Sequence, residues 1–162
     1  MSVLLFAALP CSAQKMETAE YRDFLKRLDA AVTEWQTHVE SLKIEDLNVT
    51  FSIGKTIEQE KQLCLENIAV ARNLIRSQRN NELLSDDVSL NESLSDLSSM
   101  LGEILGNIPE NAQAVHWARA LPSLDKEIHS YQRPLRKHIS AYANQLELRV
   151  AQLELKVAKC SR

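Results

Sequence analysis

Histidine and cysteine offer the most chemistry in this 162-residue chain, which holds four of the first and three of the second. A di-metal site inside a helical bundle takes Glu and His three residues apart on two different helices. No Glu-x-x-His occurs here, nor does the Cys-x-x-Cys-His that tethers haem. Gly-x-Ser-x-Gly and phosphate-cradling glycine loops are absent too, and glycine appears only three times. His38, His116, His129 and His138 mostly flank the apolar stripes described below, a surface pattern. No two carboxylates share an apolar stripe where they could divide acid and base roles. The expectation is a protein with no catalytic residue, no metal site and no cofactor.

Contact is better represented than catalysis. Arg133, Arg136, Lys137 and His138 form a compact basic group beside Pro134. Such a group either balances an acidic neighbour or meets an anionic surface or partner. Leu47, Val49 and Phe51 alternate with Asn48, Thr50 and Ser52, a period of two. That extended segment, Asp46 to Gly54, either covers an end of the fold or offers an edge to a partner strand. Asn48-Val49-Thr50 and Asn91-Glu92-Ser93 match the glycosylation triplet.

The elements that must position these groups are helical. Leu124, Ile128, Tyr131, Leu135, Ile139, Tyr142, Leu146, Val150, Leu153 and Val157 recur at steps of four, three and four. Eleven residues make about three helical turns, so the repeat keeps one apolar ridge on one side of a nearly straight helix. Ordering so long a helix costs about 1–2 kcal/mol per residue, so the ridge needs partners.

The rest of the chain supplies them. Tyr21, Leu25, Leu28, Val32, Trp35, Val39 and Leu42 predict a helix over 17–44, with Trp35 in the core. Thr56 and Gln59 make a capping box for a second helix over 56–79, with Cys64, Ile68, Ala71 and Ile75 inside. Leu90, Leu94, Leu97, Leu101 and Ile104 define a third over 86–106. Pro109 opens a short connecting helix over 110–120, Pro122 ends it, and the long helix follows over 123–160, bent at Pro134. The fold class is all-α: an antiparallel four-helix bundle with a long C-terminal helix and a short connecting helix before it.

Charge agrees with that arrangement. Glu82 to Glu110 carries seven acids and no base, whereas Ser123 to Arg162 carries eight bases and four acids. The net charge of −3 argues against nucleic acid as a partner. No run reaches the ~18–20 apolar residues a transmembrane helix needs. Val3 to Leu9 is apolar and Pro10, Cys11, Ser12, Ala13 and Gln14 follow, which is the pattern of a signal peptide cut after Ala13. It lacks a basic start and is short, and Cys11 makes a poor lipid acceptor. Export, to periplasm or medium, is the expectation, with the cytoplasm as the alternative.

In an up-down bundle Cys64 and Cys160 fall at opposite ends, tens of ångströms apart at about 1.5 Å per residue, too far for a bridge. The whole describes a non-enzymatic exported bundle acting by protein–protein contact, as an adaptor, chaperone-like or envelope-associated module. It would meet a protein partner or form a homodimer through the C-terminal helix. The alternative is a small-ligand or metal carrier, with Tyr131 and Tyr142 as polar handles between the helices.

Overall fold

A computed structural model describes residues 15–42, 57–107 and 115–160. These form four helices: α1 (Thr18–Glu40), α2 (Ile57–Asn80), α3 (Leu84–Asn107) and α4 (Val115–Cys160). The extended segment with Leu47, Val49 and Phe51 lies outside the described residues, as do residues 1–14.

Contacts across the seams give the topology. Tyr21 meets Gln78 while Arg72 reaches Gln36, so α1 and α2 run antiparallel. Gln78 meets Asp87 and Asn67 meets Met100, which does the same for α2 and α3. Ser98 bonds Asp125 and Arg136 bonds Asn91, so α4 returns along α3. The sequential pairs α1–α2, α2–α3 and α3–α4 are closely packed. The ring closes through aromatic side chains between α1 and α4. Phe24 lies 6.1 Å from the Tyr131 ring, and Trp35 meets that ring edge-on at 5.9 Å. The neighbour order is therefore up-down-up-down.

The heptad stripes become the core. Leu25, Leu28, Val32 and Trp35 of α1 are wholly buried, together with Cys64 and Ile75 of α2 and Leu90 and Leu94 of α3. Phe24 and Ala31 widen the buried side of α1 beyond the strict heptad line, as a globular helix requires. Cys64 packs among them, and burial pushes its thiol up to about 12, with Glu60 and Glu103 adding to the effect.

Two sequence expectations change at α4. No break separates a connecting helix from the long one: from Val115 onward it is a single helix of 46 residues that runs through both Pro122 and Pro134. An interior proline costs about 3 kcal/mol. Pro122 is exposed, while Leu121 and Leu124 on either side of it are buried. Burying the two leucines returns about 1.5–3 kcal/mol each, enough to hold the helix together there.

The inner line of α4 also differs from the aliphatic ridge. Leu121, Leu124, Ile128, Gln132, Leu135, His138 and Ala141 are buried, while Tyr131 and Ile139 are half-buried flanks. Two polar side chains therefore face inward, one of them a histidine expected at the surface.

Replacing Trp35 tests the aromatic seam. Trp35→Ala is expected to cost about 3–5 kcal/mol in chemical denaturation. Trp35→Phe should cost clearly less, since the indole N–H it removes has no hydrogen-bond partner among the described residues.

Candidate functional site

Four polar side chains meet at the end of the bundle where α1 and α3 begin. Tyr21, Gln78, Asp87 and His138 come one from each helix, and their relative exposures are 3% or less. Each is the next member of an apolar series. Gln78 follows Cys64, Ile68, Ala71 and Ile75, whereas Asp87 precedes Leu90, Leu94 and Leu97. His138 stands three residues after Leu135 and four before Tyr142, so it must face inward.

Asp87 is the hub. Its Oδ1 accepts the Tyr21 hydroxyl and, at 2.6 Å, the Gln78 amide. Its Oδ2 lies 3.5 Å from His138 Nε2. The other ring nitrogen, Nδ1, accepts the backbone N–H of Met16 at 3.1 Å, which places the proton of a neutral ring on Nε2, toward the carboxylate. The Tyr21 ring stacks on His138 with centroids 4.4 Å apart and planes 11° apart.

Gln78 ties the cluster to the backbone. Its amide donates to the Leu83 carbonyl and its oxygen accepts the Leu83 N–H, both at 2.8 Å, clamping the α2–α3 turn. Met16 fixes the start of α1, whose N-cap Glu17 makes no side-chain cap. Glu82 sits 3.9 Å from His138 Nε2, pairs with Lys15 at 3.4 Å, and gives its carbonyl to the Tyr142 hydroxyl. The Lys15 ammonium also rests 4.0 Å from the centre of the Tyr142 ring.

Chemically this is a lock. A reacting group must touch its substrate, and these side chains are sealed. Burial, reinforced by Asp87, raises the Tyr21 pKa well above the usual phenol value, so Tyr21 stays a protonated donor. No group of three or more His, Cys, Asp or Glu able to hold a metal occurs among the described residues. A hollow of about 250 Å³ lies at the opposite end, between Val39, Leu121 and Leu124.

The residues singled out from sequence do not stay together. Arg133 and Lys137 are exposed, whereas Arg136 is engaged with Asn91 Oδ1 at 3.1 Å and Ser95 Oγ at 3.4 Å on α3. His138 is turned inward at 1% exposure and belongs to no surface. The triplet at Asn91 serves helix packing: Ser93 is buried and donates to the Asn67 carbonyl. The tyrosines read as handles for a carried ligand bond backbone instead, Tyr131 to the Arg27 carbonyl and Tyr142 to that of Glu82.

Just past the lock, α4 leaves the bundle. Tyr142 is level with Glu82, where α3 starts, and every residue from Glu147 to Cys160 is exposed. Leu148, Val150, Leu153, Leu155 and Val157 show 53–65% of their surface. That is an apolar rod about 20 Å long, at 1.5 Å per residue. Nothing among the described residues covers these side chains. Cys160 is a free, exposed thiol at its end, and Cys64 is free and buried in the bundle. No helix among the described residues is long and apolar enough to cross a membrane. No family model, curated protein or solved structure matches the chain.

Two outcomes test the lock. Asp87→Leu removes the acceptor of the Tyr21 hydroxyl and of one Gln78 amide N–H, at about 1–3 kcal/mol for each buried donor left unpaired. Adding Tyr21→Phe should cost less in that background than in the native chain, a coupling that a double-mutant cycle measures. The second concerns alkali. Above the usual tyrosine value of 10.0 the unfolded chain releases the Tyr21 proton and the folded chain keeps it, so stability falls as pH rises. Denaturation midpoints measured across that range should fall less steeply in Tyr21→Phe.

Proposed function

We propose that this protein works by contact, as a non-enzymatic adaptor or chaperone-like module whose docking element is the α4 extension. One observation carries the reading: five large apolar side chains stand exposed on residues 147–160 of a helix that is otherwise packed into a bundle. An isolated helix of this length is marginal in water, so the extension gains its order when something covers it. Arg133 and Lys137, exposed on the same helix, add cations below the apolar rod. The signal-like lead over residues 1–13 supports a setting outside the cytoplasm, in the periplasm or the medium.

Hydrogen exchange tests the reading. In dilute purified protein the amides of 147–160 should exchange far faster than those of α2 and α3. In concentrated extract of the native cells they should become protected. Amides that stay unprotected there would refute contact through this element. A chain ending at Leu146 should keep the melting temperature of the full protein, because the core lies wholly before that point.

A further inference from the structure

Resting on that contact reading, we infer that the extension's partner is a second copy of the same chain, paired antiparallel over residues 143–160. From Leu146 the apolar steps settle into four, three, four and three: Leu146, Val150, Leu153, Val157 and Cys160. In heptad terms valines occupy a, while leucines and then Cys160 occupy d, an apolar seam of the kind two helices bury against each other. Ala143 holds the preceding a position.

Length and sterics choose the orientation. The stripe continues the ridge that faces the bundle core, so a helix covering it lies over the end of α1–α3. A parallel partner would drive its own bundle into that volume. An antiparallel partner carries its bundle away to the far side. The two extensions then overlap completely, and each tip stops where the other copy's α1 begins, near Lys15 and Tyr142. Every layer joins one a to one d residue: Val150 to Leu153, Leu146 to Val157 and Ala143 to Cys160, each taken twice by symmetry.

Charge complements this along the rod. The tip is basic through Lys156 and Lys159. The bundle end that receives it shows exposed Glu17 and Glu20 and half-buried Asp86, set against Lys15 and Arg22, with Glu147 at the base of the extension. Flanking pairs oppose it, because Glu147 and Glu154 share one edge while Arg149 and Lys156 share the other. Such exposed pairs are weak and screened, so the steric argument decides. Leu148 and Leu155 fall on the outer side and stay exposed in the dimer.

Sedimentation and thiol trapping on the full chain test this. The native protein should pass from monomer to dimer with concentration. Leu153→Glu places a carboxylate in both central layers and should raise the dissociation constant at least about tenfold, with the melting temperature unchanged. Ala143→Cys should trap dimers through Cys160 when glutathione disulfide is supplied. Each bridge forms as two thiols lose two protons and two electrons, and the oxidant leaves as two glutathiones. Within one chain the two positions lie too far apart on the same helix to join. A monomer at every concentration, a dimer that survives Leu153→Glu, or trapping chiefly between the two Cys160 residues would overturn the inference. So would protection of 146–160 in monomer that vanishes when residues 1–14 are deleted, since that seats the N-terminal segment on the rod. Protection in native extract without self-association removes the second copy but keeps the contact reading; no protection anywhere removes both.

Discussion

An apolar stripe on a helix has to be covered, and coverage lasts only as long as the neighbouring helices do. Here α1, α2 and α3 have 23, 24 and 24 residues, while α4 has 46. The antiparallel register lets the three shorter helices shield α4 only up to about Tyr142. Everything distinctive about the molecule follows from that mismatch. The shielded part of α4 packs into the bundle, and the shorter remainder is surface carrying core-type residues.

The buried polar cluster stands where shielding ends, and its position has a physical logic. A carboxyl group at 0% exposure is costly unless its environment supplies hydrogen-bond partners. Tyr21 and Gln78 supply them, and the His138 ring stands against the remaining oxygen. Those groups come from all four helices, so the contacts of Asp87 Oδ1 and the approach of His138 depend on the register of every helix. A slip of one turn on any helix would strand the carboxylate, whereas aliphatic layers tolerate such slips more easily.

Much of the fold was legible in the sequence. Long stripes at steps of three and four announce buried helix faces, and Leu25 to Val39 and Leu90 to Ile104 became core as the spacing predicts. The lock was less visible because hydrophobic periodicity counts apolar residues and passes over polar ones in phase with them. Asp87 and Gln78 each extend a stripe by one step, and His138 fits between Leu135 and Tyr142. Phase alone could have placed all three inside. Grouping His138 with Arg133, Arg136 and Lys137 by charge passes over the fact that neighbours within one turn of helix point to different faces. Pro122 misled for another reason: local backbone preference argued for a stop, and burial of Leu121 and Leu124 outweighed it.

The continuous ridge also explains why composition could not separate bundle from extension. An eleven-residue repeat holds its direction from Leu124 to Val157, so the same residue types appear where they are buried and where they are exposed. What distinguishes the halves is the length of the other helices, a property of the whole chain. A single stripe cannot supply it, because Ile128 at 0% exposure and Val157 at 65% read alike until the neighbours are counted. A helix that keeps its core pattern past the end of its own core leaves that length of ridge exposed. The cluster of Tyr21, Gln78, Asp87 and His138, drawn from all four helices, stands at the level where that covering ends.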